Sequence, residues 1–169
     1  AYPLDAIKGF DDVHQVARDR GVDGVLIAGD LFDSFRAPLD TVAYVCQRLK
    51  ELECPVFILP GNHDTLLTSA HGVSDSLPPL PSNVYLLQEP AGEMVISPDL
   101  QLAVWGRPVY DHDPSFQPLD GLQARPPDCW YVAMAHGLVM DGHTGSARSS
   151  PISQEELRRA DCDYIALGH

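Results

Sequence analysis

The feature that most constrains the fold is a pair of short, unbroken apolar runs separated by a segment with helical periodicity. The runs are Val25–Ala28 and 55–59, and neither alternates apolar with polar residues. Continuous runs of this length are typical of parallel strands that are covered on both faces. Between them, residues 38–51 place Val42 and Val45 on one helical face. The pattern predicts a strand–helix–strand unit, and therefore an α/β fold.

Helical patterns also lie near both ends of the chain, while the character changes after Asp64 to shorter β-like runs, consistent with a meander or second sheet. Apolar residues at near-helical spacing predict a helix over 4–20. Ser153 and Glu156 have the spacing of a capping box, which predicts a short helix after Ser153. Further β-like runs lie at 83–87, 93–97, 100–105, 130–135 and 164–167. The segments 65–82 and 113–128 are rich in loop-forming residues, Pro above all in the second, and are predicted to be loops.

Composition limits the class of protein. The chain has 169 residues, of which 44% are hydrophobic, and this suits one domain with a substantial core. No apolar run reaches the roughly 18 residues that a membrane span needs, and the first residues do not resemble a signal peptide. The sequence therefore predicts a soluble, cytoplasmic chain. The four cysteines lack a CxxC pair, which favours reduced thiols.

The net charge of −13 argues against a surface that grips nucleic acid directly. Eleven basic residues face twenty-four acidic ones, and the basic residues form no run. Proteins that hold a phosphate backbone with their own surface usually cluster Lys and Arg. Either the substrate is small, or metal ions and other segments supply the positive charge, because divalent ions reverse the local field of acidic groups.

Polar residues follow four of the predicted strands at the point where each strand ends. Asp30 follows the first run, Asn62 and His63 the second, His136 the third and His169 the fourth. In open α/β sheets, ligands collect outside the carboxyl ends of the strands, so these residues are expected at one edge. Carboxylate, amide and imidazole groups together indicate a metal site suited to phosphate ester hydrolysis.

Each of these motifs alone has a simpler interpretation. Asp30 follows Gly29 in a pair that is common in turns. Gly61 and Asn62 can also form an ordinary turn, because both residue types tolerate positive φ. A single histidine is more often a packed or surface residue than a ligand. The metal-site hypothesis therefore depends on the coincidence of all four strand ends.

The motifs, taken in order, resemble those of calcineurin-like metallophosphoesterases. They are GDLFD at 29–33, GNHD at 61–64, His-Gly at 136–137 and Gly-His at 168–169. The form GDLFD, with PISQEEL before the last strand, is similar to the SbcD-type DNA-repair exonuclease branch. The resemblance implies a four-layer α/β/β/α sandwich with mixed sheets flanked by helices. It also implies DNA as the substrate and an SMC-like ATPase as a partner.

The resemblance further implies two divalent metal ions, with Mn²⁺ the usual choice in this branch and Fe or Zn²⁺ as alternatives. Asp30 would bridge the two ions, while Asn62, His136 and His169 would complete the ligands of the second ion. The family's Asp-x-His motif and its final His have no counterpart here. Residues 1–169 are thus expected to form one metallophosphoesterase domain without its first strand and C-terminal part, impaired or inactive by itself.

The resemblance and the chemistry of phosphoryl transfer suggest candidate roles for three further residues. His63 is the candidate to stabilise the pentavalent state or to protonate the leaving oxygen. Asp64 could orient His63, or it could cap the turn without a catalytic role. Arg36 could reach a phosphate, or it could be a solvated loop charge.

The sequence therefore predicts metal-dependent phosphodiester hydrolysis, as a DNA exonuclease or endonuclease in DNA repair. One alternative is a small-molecule phosphodiesterase or phosphatase, which the acidity favours. The other is a scaffold domain with a degenerate metal site.

Overall fold

In the part of the chain that the structure describes, the strands form three sheets, and the α-helices lie near the two ends of the sequence. The computed structural model describes residues 4–32, 37–64, 79–110, 115–140 and 150–169. The helices are α1 (Leu4–Arg20), α2 (Leu39–Lys50) and α3 (Gln154–Arg159), with a short 3₁₀ helix at Pro98–Leu100. The strands are β1 (Val25–Ala28), β2 (Val56–Leu59), β3 (Val84–Leu86), β4 (Glu93–Ser97), β5 (Leu102–Gly106), β6 (Trp130–His136), β7 (Leu138–Met140), β8 (Pro151–Ser153) and β9 (Tyr164–Gly168).

The two larger sheets differ in strand direction. The first has the order β1-β2-β3, and both of its pairings are parallel. The second has the order β4-β5-β6-β9, in which β4 is antiparallel to β5 and the other pairs are parallel. Strands β7 and β8 form a separate parallel pair. The predicted α/β class with mixed sheets is confirmed.

Alternate side chains of β2 belong to two different cores. Val56 and Ile58 pack in the core that holds the apolar face of α2, including Val42. Phe57 and Leu59 point the other way and pack between the two large sheets. Because successive side chains of a strand point to opposite faces, a continuous apolar run is what a strand buried on both faces requires.

The second large sheet is covered on its outer face by α3. Trp105 and Tyr131 are fully buried there, and Leu157 of α3 packs against them. Its inner face contributes Val104 and Met134 to the core between the sheets. The order of layers is therefore helices, sheet, sheet, helix, as the predicted four-layer α/β/β/α sandwich requires.

Most element boundaries agree with the sequence predictions. The predicted capping box is present, since Ser153 accepts from the amide of Glu156, and the Glu156 side chain accepts from the amide of Ser153. The strand predicted over 100–105 begins instead at Leu102, because Pro98 starts a 3₁₀ turn that Gln101 closes in a left-handed conformation with φ 48°. Strands β7 and β8 were not predicted.

Candidate active site

The carboxyl ends of strands from both large sheets meet at one side of the molecule. In β6, Val132 and Met134 face the core between the sheets, so His136, two residues on, also points toward the first sheet. His136 Nδ1 lies 3.0 Å from the carbonyl oxygen of Ala28, the last residue of β1. The sequence argument placed these residues at one edge, and in the structure this edge is formed by strands of both large sheets.

Two predicted site residues, Asn62 and Asp30, lie beside the ring of a third, His136. His136 Nε2 lies 3.0 Å from Asn62 Oδ1 and 3.3 Å from Asp30 Oδ2. Around an ion with bonds of about 2.0–2.2 Å, neighbouring donor atoms are about 2.8–3.1 Å apart in octahedral and about 3.3–3.6 Å apart in tetrahedral geometry, so these separations suit a shared divalent cation. A carboxylate oxygen, an amide oxygen and an imidazole nitrogen also form a chemically suitable donor set.

The contact with Ala28 determines which nitrogen of His136 carries a proton. A carbonyl oxygen only accepts hydrogen bonds, so Nδ1 must be the donor to Ala28. Histidine ligands of metals usually donate their other ring N–H in this way, which fixes the ring orientation. The neutral form of His136 therefore presents the Nε2 lone pair toward Asn62 and Asp30, and the residues present fit a divalent cation.

The charges of His136 and Asp30 stabilise each other. Burial lowers the pKa of His136, but its hydrogen bonds to Asp30 and Ala28 outweigh burial and leave the pKa raised. Burial raises the pKa of Asp30, but His136 and the backbone N–H of His63 outweigh it, so that pKa is lowered. The raised pKa of His136 and the lowered pKa of Asp30 thus share one cause, the contact between the two side chains.

Three backbone positions of the site, Gly29, Asp30 and Gly61, are restricted by conformation or by space. Gly29 and Asp30 have positive φ angles of 88° and 54°, whereas the sequence interpretation of a turn placed positive φ at Gly61 and Asn62. A Cβ at Gly29 would lie 2.0 Å from His136 Nδ1. Gly61 is required for a different reason, since its Cβ would lie 2.4 Å from Asp30 Oδ1. Both glycines allow the close approach of the donor groups.

Asp64 lies beneath the site with 0% of its surface exposed. Its carboxylate accepts hydrogen bonds from the backbone N–H groups of Leu31, Phe32 and Gly61. Burial raises the pKa of Asp64, and the three amide donors oppose that rise. These bonds connect the turn after β2 with the loop after β1, a connection that the sequence interpretation of Asp64 did not include.

The remaining predicted site residues lie at the rim or outside the described residues. His63 is exposed, and its backbone N–H donates to Asp30 Oδ1 over 3.2 Å. His169 is also exposed, and its ring stands edge-on to the His136 ring with 6.3 Å between centroids. Arg36 lies outside the described residues.

Among the residues that the structure describes, no three His, Cys, Asp or Glu side chains are grouped so that they could hold a metal ion. At the candidate site Asp30 meets His136, and the third converging donor is the amide oxygen of Asn62. His169 would have to approach the His136 ring to join this set.

Comparison with known proteins identifies the protein family to which the chain belongs. Residues 5–169 match the calcineurin-like phosphoesterases, and the chain belongs to this family. The family assignment from the four motifs is confirmed. The family is one of phosphoesterases, as its description states.

Two relatives illustrate the range of similar proteins. The chain is 28% identical over 158 residues to the uncharacterized metallophosphoesterase YhaO of Bacillus subtilis, covering 88% of this chain and 36% of YhaO. It is 41% identical over 64 residues to the DNA double-strand break repair protein Mre11 of Methanosarcina acetivorans, covering 36% of this chain and 10% of Mre11. The aligned part is thus a minor share of each relative's length.

In the described residues, no helix combines the length and apolar character needed to cross a membrane.

Two contributors to the site were missed by sequence reasoning. One is the carbonyl of Ala28, a backbone group whose role depends on the packing of two sheets and leaves no signal in the sequence. The other is the bridging role of Asp64. Its position in GNHD marked it as part of the motif, but its partners lie 32 and 33 residues earlier at Phe32 and Leu31.

Proposed function

We propose that the protein is a metal-dependent phosphodiester hydrolase that acts on DNA. The observation that supports this most directly is the convergence of Asp30, Asn62 and His136 at the meeting point of two sheets, with oxygen and nitrogen atoms 3.0–3.3 Å apart. His169 is proposed as the further ligand on the same ion. Asp30 is proposed to bridge to a second ion, with Mn²⁺ in both positions.

The residues of the chain have separate tasks in this proposal. Asp30, Asn62 and His136 would hold the ion, and Ala28 keeps the His136 ring oriented through its carbonyl. A bound divalent ion supplies Lewis acidity and lowers the pKa of coordinated water. His63 would donate a proton to the leaving oxygen, since it is exposed on the turn that also carries Asn62.

The choice of DNA is supported by the partial similarity to Mre11. The net charge of −13 means that the cations of the site, rather than a basic surface, would attract the phosphate backbone. We extend the proposal to residues 1–169 as one metallophosphoesterase domain, to an SMC-like ATPase partner and to a cytoplasmic location.

The second candidate is a phosphodiesterase or phosphatase for small molecules. The excess of acidic over basic residues favours it, because a small substrate needs no extended contact with the protein surface. A scaffold domain with a degenerate metal site is the non-enzymatic alternative.

These functions can be distinguished by testing which substrates the protein cleaves. The full-length protein is incubated with Mn²⁺ and either linear duplex DNA, single-stranded DNA or bis-p-nitrophenyl phosphate. We expect cleavage of DNA and of the model diester, both abolished by EDTA. Cleavage of the model diester with every DNA substrate intact would favour the small-molecule function, and no cleavage of any substrate would favour the scaffold.

A further inference from the structure

One buried carboxylate joins the two loops that carry the oxygen donors of the site. Asp64 Oδ1 accepts from the N–H of Phe32 over 2.8 Å, and Oδ2 accepts from the N–H groups of Leu31 and Gly61 over 3.1 Å each. Leu31 and Phe32 belong to the loop after β1, which carries the carboxylate donor. Gly61 belongs to the turn after β2, which carries the amide donor. This side chain therefore links the two loops at three backbone groups, beside the single bond from the His63 N–H to Asp30 Oδ1.

Both oxygens of Asp64 accept hydrogen bonds from backbone N–H groups, so the side chain serves here as an acceptor at both ends. Hydrogen bonds from amides to an ionised carboxylate are shorter and stronger than bonds between neutral groups. Removing the carboxylate would leave buried amides unpaired, which is more costly than the loss of the bonds themselves.

We propose that Asp64 is a positioning residue for metal binding. It holds the loop of Asp30 and the turn of Asn62 together, so that their oxygens stay at the distances from His136 that a cation needs. The inference rests on the proposed function, because it assumes that these donors hold a divalent ion. Asp64 itself does not contact the converging donor atoms through any of its three bonds.

Asn83 offers a matched control. Its side-chain amide donates to the carbonyls of Leu49, Leu52 and Cys54 over 3.0–3.2 Å. Like Asp64, it bonds three backbone groups through one side chain, here all within residues 49–54. It precedes β3, however, and so lies at the amino ends of the parallel strands, opposite the candidate site. A change at Asn83 should affect stability without displacing the metal donors.

The experiment compares Asp64→Asn with Asn83→Asp in the full-length protein. Both substitutions preserve side-chain size and reverse the hydrogen-bonding character of one group. Mn²⁺ binding is measured from the electron paramagnetic resonance signal of the free ion, and thermal unfolding is recorded in parallel. We expect both variants to unfold at lower temperature. Asp64→Asn should also weaken Mn²⁺ binding by about 10–100-fold, as is typical when the partners of metal ligands are lost.

Asn83→Asp should bind Mn²⁺ within about twofold of wild type. Unchanged Mn²⁺ affinity in Asp64→Asn, or an equal loss in both variants, would overturn the positioning role. Hydrogen exchange of the wild-type amides at Leu31, Phe32 and Gly61 provides a test that does not require a folded variant. Rapid exchange at these amides would also overturn the role. A wild-type protein that does not bind Mn²⁺ would contradict the proposed function, and this inference with it.

Discussion

The Cα of Gly61 lies so close to the Asp30 carboxylate that a Cβ on it would be 2.4 Å from Asp30 Oδ1. The same Cβ would lie 2.9 Å from Cε1 of His136. Real side chains do not approach this closely, so a larger residue at position 61 must displace one of the two donors. The absence of a side chain at Gly61 is therefore part of what allows the donors to converge.

Gly61→Ala should damage the site and the fold together. We expect a loss of about 1–3 kcal/mol in the free energy of unfolding, as for other substitutions that overfill a packed region. Mn²⁺ affinity should fall because Asp30 must move. Gly9→Ala is the control, because nothing lies within 4 Å of a Cβ at this exposed position in α1. In that variant the free energy of unfolding should rise by about 0.5–1 kcal/mol, because Ala has a higher helix propensity than Gly. Unaltered Mn²⁺ binding in Gly61→Ala would contradict the packing argument.

His63→Ala should reduce turnover without preventing metal binding. The residue lies at the exposed rim and contacts Asp30 through its backbone N–H, which the substitution retains. Loss of a general acid typically lowers kcat by about 10²–10⁴-fold. Steady-state hydrolysis of a model diester and Mn²⁺ titration together check this. Asn62→Ala is the contrasting variant, since it should lose Mn²⁺ affinity. Equal loss of Mn²⁺ affinity in both variants would make His63 a ligand rather than an acid.

Tyr131 should make the protein sensitive to high pH. Its side chain is 0% exposed and its hydroxyl donates to the carbonyl of Gln123 over 2.9 Å. Burial raises the pKa of Tyr131 to about 12, above its usual value of about 10. Because the folded state favours the neutral phenol, the stabilisation is complete below about pH 10 and is lost as pH rises through about 12.

Tyr131→Phe separates this effect from general alkaline unfolding. Loss of the hydrogen bond should lower the free energy of unfolding of the variant by about 1 kcal/mol at neutral pH. Between about pH 10 and 12, however, this free energy should fall less steeply in the variant than in the wild-type protein. Urea unfolding at several pH values measures both effects. Tyr164→Phe is the control, because Tyr164 is 61% exposed and should behave as wild type. Parallel pH profiles for wild type and Tyr131→Phe would refute the prediction.

Most helices and strands could be predicted because each is marked by a pattern within its own residues. The limits of α1 and β1 agree with the sequence, since helical spacing and an unbroken apolar run need no distant partner to be recognised. Strands β7 and β8 were missed because each has only three residues and depends on pairing with the other. Their formation is a consequence of tertiary structure.

The sequence identified residues of the candidate site, but the contacts and backbone angles that arrange them could not be predicted. Strand-end motifs identified Asp30, Asn62 and His136, which the structure brings together. Their arrangement depends on a contact across 108 residues between His136 and Ala28, and no sequence pattern records it. The positive φ of Asp30 was not foreseen either, because it follows from how the loop meets the opposite sheet.

The most direct test is a crystal structure of the protein soaked in Mn²⁺, with an anomalous difference map calculated from data collected near the manganese edge. We predict a peak bounded by Asp30 Oδ2, Asn62 Oδ1 and His136 Nε2, at about 2.0–2.3 Å from each. A peak elsewhere, with these three groups still hydrogen-bonded to one another, would contradict the assignment of this edge as the metal site.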